Sequence, residues 1–131
     1  MKPSKPSPPR PTQAELEILS ALWELGPSSV REVQEHQAPA RVAGYTTVLK
    51  LLQIMAGKGL VERDESGRTH VYRAAVAREQ TQRQLVTDLL ERAFGGSASQ
   101  LIQQALATRR ASPEEMREIR RMLDRTGGDK S

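Results

Sequence analysis

Cysteine is absent from all 131 residues, which excludes disulfides, thiolate zinc or copper sites, iron–sulfur clusters and cysteine nucleophiles together. Aromatic side chains are nearly as scarce: Trp23, Tyr45, Tyr72 and Phe94 are the whole set. Burial therefore rests on aliphatic residues. Histidine occurs twice, at His36 and His70, too far apart for the helical HxxxH type of zinc spacing. No metal or cofactor is expected. Also missing is any apolar run near the roughly 18 residues of a membrane span, and the N-terminal stretch MKPSKPSPPRP has no apolar centre to serve as a signal peptide. A cytoplasmic chain without membrane insertion is expected.

What is present is modest in hydrophobic content. Leu, Ile, Val and Phe total 27, just above the level of about 20% below which chains tend to stay disordered. A core this small favours completion by a second chain. The net charge is +4, divided evenly: residues 1–75 and residues 76–131 each hold 10 basic and 8 acidic side chains. Such balance argues against a nonspecific polycation and allows a local basic face that meets phosphates.

Residues 1–11 contain five prolines and no aliphatic residue, so they read as a disordered arm. From Thr12 the chain signals helix starts repeatedly, with Ser or Thr followed three residues later by Glu or Gln: Thr12 with Glu15, Ser29 with Glu32, Ser97 with Gln100, Ser112 with Glu115. In such a box the hydroxyl accepts from the amide three residues on, and the longer side chain returns to the cap amide. The periodicity predicts a first helix over 13–25, ended by Gly26-Pro27, and a short second over 30–37 with Val30 and Val33 inward. A third spans about 44–57. Its core face is Val48, Leu51, Leu52 and Met55. Thr46, Lys50 and Gln53 project oppositely, with Thr47 and Ile54 on the flank. That outer face contains no carboxylate, whereas a solvated face usually mixes Glu with Lys.

After Gly59 the pattern changes to a short strand over 60–63, a polar turn Asp64-Glu65-Ser66-Gly67-Arg68, and a second strand over 69–73. Three helices followed by a hairpin is the order of a winged helix-turn-helix, in which the third helix enters the major groove and the hairpin wing reaches the adjoining backbone. Beyond residue 76, three amphipathic helices follow, so the fold is mainly α with one small β-hairpin. The expected organisation is an arm (1–11), a winged-helix DNA-binding domain (12–75) and a helical dimerisation domain (76–131).

Thr46, Thr47 and Lys50 are the candidates for reading base edges: hydroxyls donate or accept, a threonine methyl meets a thymine methyl, and lysine meets guanine acceptors. The alternative for the two threonines is N-terminal capping of the third helix, a role that can coexist with base reading. Candidates for the DNA backbone are Arg41, Tyr45, Gln53, Arg63 and Arg68, with His70 and Arg73 weaker on the same hairpin. Tyr45 could instead pack at the start of the helix, and Trp23 belongs with the core or a helix seam. The dimer interface is expected from Leu85, Leu89, Leu90, Phe94, Leu101, Ile102 and Leu106, joined by Met116, Ile119 and Leu123. Folding of this tail onto the winged helix is the alternative. No nucleophile–base set, phosphate loop or carboxylate pair supports an enzyme. The competing function is a winged-helix protein–protein interaction module without specific DNA binding.

Several segments together resemble the BlaI/MecI family of bacterial repressors, the penicillinase-repressor type. They are Thr12–Leu19 running to Leu22-Trp23, Tyr45-Thr46-Thr47-Val48-Leu49, Lys58-Gly59-Leu60-Val61, Gly67-Arg68 with Val71-Tyr72, Phe94-Gly95-Gly96-Ser97, and Ser112-Pro113-Glu114-Glu115. The resemblance covers about residues 12–125. It implies a homodimer on a palindromic double-stranded DNA operator, released through a membrane-bound metallopeptidase sensor or through proteolysis in the dimerisation region. Two departures stand out. Ile54 precedes Met55 where the family often has an arginine, and the pair aligned with the Asn-Phe scissile bond of staphylococcal-type members is Gln104-Ala105. A related copper-responsive branch uses C-terminal cysteines, which this chain lacks.

Overall fold

The computed structural model describes residues 9–37 and 43–128. The elements in chain order are α1 (Gln13–Leu25), α2 (Val30–Gln37), α3 (Tyr45–Lys58), β1 (Val61–Asp64), β2 (Val71–Ala74), α4 (Arg78–Ala93), α5 (Ala98–Thr108) and α6 (Pro113–Gly128). The predicted arm lies mostly outside the described residues, as does Arg41. The chain divides into two compact units, one extending to Val86 and one from Thr87 onward.

Local chemistry sets the helix starts. At α1 the Glu15 amide donates to Thr12 Oγ1 (3.2 Å) while Glu15 Oε1 accepts from the Thr12 amide (3.0 Å), so two otherwise unpaired amides are satisfied reciprocally. Ser29 and Glu32 repeat the arrangement at α2, at 3.2 and 2.8 Å. The hydroxyls of Ser97 and Ser112 accept from the Gln100 and Glu115 amides at α5 and α6. At its other end, α3 closes on Gly59 at φ 85°, where the Leu60 amide donates to the Met55 carbonyl and the Gly59 amide to Ala56. This Schellman-type end needs a left-handed residue, which glycine adopts without a Cβ penalty.

In the first unit, α1, α2 and α3 pack with the hairpin around Leu19, Val33, Leu52 and Met55, each fully excluded from solvent. Val48 and Leu52 are buried and Leu51 half-buried, which confirms the expected core face of α3. Trp23 is half-buried at a seam: its indole N–H donates to the Val76 carbonyl (3.0 Å), and the Arg78 guanidinium lies over its ring. β1 and β2 pair antiparallel with Val61 opposite Ala74 and Arg63 opposite Tyr72. Both strands begin a residue or two later than the sequence pattern suggests, because Leu60 leaves α3 into the core and residues 65–70 form the wing tip.

Ser28, in the loop before α2, exchanges two backbone hydrogen bonds with Tyr72 (2.9 and 2.8 Å). The hairpin is thereby fixed to the segment that launches α2. A second long-range tie joins the start of α1 to the end of α3: Lys58 Nζ donates to Glu15 Oε2 at 2.7 Å, with the Glu15 side chain almost wholly buried. Burial raises the Glu15 pKa, but the Lys58 and Thr12 hydrogen bonds and the Lys58 charge outweigh it, and the net shift is downward.

In the second unit the burial pattern differs. Leu90, Phe94, Leu101, Met116 and Ile119 are half-buried, and Leu89, Ile102, Leu106 and Leu123 are exposed. No side chain described in this unit is fully buried. Leu85, the first residue of the expected interface stripe, is half-buried at the end of the first unit.

Candidate nucleic-acid interface

α3 is presented by its neighbours. Its inner face is anchored by Val48, Leu52 and Met55, and the Gln34 side chain of α2 donates to the Ala43 carbonyl (3.1 Å), which fixes the approach to its first turn. Thr46, Thr47, Lys50, Gln53 and Ile54 are all exposed. The first turn contains no acidic residue, and the N-cap is Gly44, with no side-chain cap hydrogen bond. The N-cap position is thus held by glycine and not by either threonine, and both threonines are exposed in the first turn. An uncapped helix start of this kind favours anions, because the aligned peptide dipoles place partial positive charge there.

A cleft of about 580 Å³ opens beside this helix start. It is bounded by Ser29, Val30 and Arg31 at the α2 start, by Tyr45 and Leu49 of α3, and by Arg68, Thr69, His70 and Tyr72 of the hairpin. The Arg31 guanidinium lies over the Tyr45 ring, 5.7 Å from its centroid, within the range in which a cation is attracted to the ring face. Sequence reasoning missed Arg31: an arginine at the second position of a short helix has no periodicity to mark it, and only the fold places it on Tyr45. Tyr72 is buried, and its hydroxyl has no hydrogen-bond partner among the described residues.

The other expected cations sort by their partners. Arg63 is held by Glu65 across the turn, and Arg73 pairs with Glu62 at 2.9 Å. A phosphate would have to displace those carboxylates. Arg31, Lys50 and Arg68 have no ion-pair partner among the described residues. At the wing tip the Ser66 amide donates to Asp64 Oδ1 (2.9 Å), and the Ser66 hydrogen bonds hold the Asp64 carboxyl below the usual range. Ile54 is 47% exposed on the outer face of α3. His36 is on the surface, 2.9 Å from Glu24.

Gln104 and Ala105 are exposed and lie in the middle of α5. The Gln104 carbonyl accepts from the Thr108 hydroxyl at 2.6 Å in addition to its place in the helix. Among the described residues, no cluster of three or more metal-ligating His, Cys, Asp or Glu side chains occurs, and no helix is long and apolar enough to cross a membrane.

The profile of the penicillinase repressor family matches residues 11–125. A curated relative, the transcriptional regulator BlaI of Mycobacterium tuberculosis, is 32% identical over 84 residues, or 63% of this chain. The match spans about three fifths (61%) of that relative's own length. Among solved structures, the monomeric form of Bacillus licheniformis BlaI in complex with the blaP half-operator aligns over 56% of this chain and 89% of its own, at 22% identity and TM-score 0.49. A MarR family protein from Bacillus stearothermophilus aligns over 90% of this chain and 74% of its own, at 20% identity and TM-score 0.49. With a winged helix followed by further helices, and with a profile match across nearly its whole length, the chain belongs to the penicillinase repressor family, a family of transcription regulators and not of enzymes.

Proposed function

We propose that the chain is a homodimeric repressor that binds a palindromic DNA operator, with residues 12–75 contacting DNA and residues 76–131 forming the dimer. The observation that carries this reading is the outer face of α3: Thr46, Thr47, Lys50 and Gln53 exposed, no carboxylate among them, and beside it Arg31 and Arg68, which have no ion-pair partner among the described residues. A helix of this kind fits the major groove, where Lys50 meets guanine acceptors and the threonines meet thymine methyls or polar base edges. Arg68 supplies a backbone contact from the wing. Tyr45 and Gln53 flank the reading face, and Arg63 joins only by giving up Glu65.

Dimerisation is supported by the half-covered apolar stripes of α4, α5 and α6. Leu89 (45%), Ile102 (42%) and Leu123 (54%) expose area that a two-fold partner would cover. Relief of repression through a membrane-bound metallopeptidase sensor rests on the family resemblance. Cleavage at Gln104-Ala105 requires local unwinding of α5, since a helical peptide bond does not present the extended backbone that β-augmenting clefts bind. A DNA-bound regulator of this type works in the cytoplasm.

The test is capture of fragmented genomic DNA by the purified chain near physiological salt, followed by sequencing. Enrichment of a short inverted repeat in a promoter is expected, and Lys50→Ala should weaken binding to it by about 1–3 kcal/mol while leaving thermal stability unchanged. Exposed Ile54 favours a second reading, a protein-binding module. A folded dimer that enriches no motif and binds DNA only at low salt would establish that reading instead.

A further inference from the structure

We infer that the cleft between the α2 start and the wing is a preformed seat for a single phosphodiester of the DNA backbone, with Arg31 as its principal cation and Tyr45 as the platform that positions it. This inference rests on the DNA-binding reading and adds a contact that the α3 face does not supply. Three observations converge on it. Cationic residues reach the cleft from two separate elements, Arg31 from α2 and Arg68 from the wing, and none of the lining residues is acidic. Neither arginine has an ion-pair partner among the described residues, unlike Arg63 and Arg73 on the same hairpin. Arg31 is also held over the Tyr45 ring, so less side-chain freedom remains to be lost when it meets an anion.

The size and surroundings suit the occupant. The cleft volume of about 580 Å³ is many times the roughly 30 Å³ share of one water molecule, so a phosphate with its flanking sugars can enter. Ser29 and Thr69 lie in the same lining, and Tyr72, which shares it, has a buried hydroxyl without a hydrogen-bond partner among the described residues. Because Ser28 ties the wing to the loop before α2 at 2.8–2.9 Å, the two arginines are held on one frame. Tyr45 acts here as a positioning residue: its ring orients Arg31, and its own hydroxyl is not required.

The experiment uses the full chain with two duplexes of about 30 base pairs, one holding the inverted repeat recovered by capture and one of scrambled sequence. Arg31→Ala should weaken both by about tenfold and reduce the slope of log affinity against log salt by about 0.9, the signature of one lost phosphate contact. Tyr45→Ala should weaken both duplexes severalfold, and Tyr45→Phe should restore wild-type binding. In a scan replacing single phosphates with neutral methylphosphonates, one position should weaken the wild type yet leave Arg31→Ala and Arg68→Ala unaffected.

Wild-type affinity in Arg31→Ala, or different silent positions for the two arginines, overturns the shared seat while leaving the repressor reading intact. If the wild type binds neither duplex, the repressor reading fails and the seat fails with it. Arg31→Gln, which keeps a planar polar end without charge, serves with thermal midpoints to separate lost contact from lost fold.

Discussion

The unit that extends to Val86 and the unit that starts at Thr87 are both built from amphipathic helices, yet only the first closes a core within one chain. All thirteen fully buried hydrophobic residues described lie between Ile18 and Val76, whereas α5 has none and the apolar residues of α6 stay half-buried or exposed. The difference lies in what faces each stripe. α1, α2 and α3 have each other and a hairpin that is tied back at Ser28. α5 and α6 have stripes of similar spacing, but the apolar side chains on them stay half-buried or exposed. Helical periodicity thus identifies a face that must be covered without saying which chain covers it.

The largest effect that sharpens this contrast should come from Leu52→Ala. Leu52 is 0% exposed, and a leucine-to-alanine change at such a site costs about 2–5 kcal/mol, visible as a loss of the denaturation midpoint of the winged unit. Ile102→Glu should act oppositely: about a hundredfold weaker dimerisation, near 2.7 kcal/mol, seen by light scattering, with little change in the stability of the first unit. A variant that stayed dimeric would break the comparison and place the interface elsewhere.

A smaller effect tests the tie between α1 and α3. Glu15→Gln should cost about 1–2 kcal/mol near neutral pH, since it removes a charge-assisted hydrogen bond to Lys58. The native Glu15 pKa is depressed, so its contribution is fully present above the ordinary glutamate value of about 4.3 and fades as the pH falls through the native value. Chemical denaturation of both proteins across that range should show the curves converging at acid pH; a constant gap would mean that charge is not the cause. Smallest is Ser112→Ala, which removes the cap of α6. About 0.5–1 kcal/mol is expected, read as lower helix content in the second unit with the first unaffected.

The sequence was most legible where structure is locally determined. All four capping hydroxyls act as the spacing predicts, and the limits of α1 and α2 match because Gly26-Pro27 and the boxes are strong local signals. The core face of α3 followed from period alone. What escaped were pairs joined only by the fold: Lys58 with Glu15, 43 positions apart, Arg31 with Tyr45, and Ser28 with Tyr72. In the last case the backbone makes the bonds, so no side-chain pattern could announce them. Arg63 was legible as a wing cation but not as one neutralised by Glu65, because ion pairing across a turn depends on rotamers.

The bridge from Ser28 to Tyr72 has a kinetic consequence. It joins positions either side of α2, α3 and β1, so the loop it closes contains the whole reading element. Such a contact forms late, after chain-closure entropy has been met. Once formed, it makes the hairpin and the second helix open together. Amide exchange at Ser28 and Tyr72 should therefore proceed only with opening of the entire unit, and a hairpin that peels away by itself while α2 and α3 stay folded should not be populated.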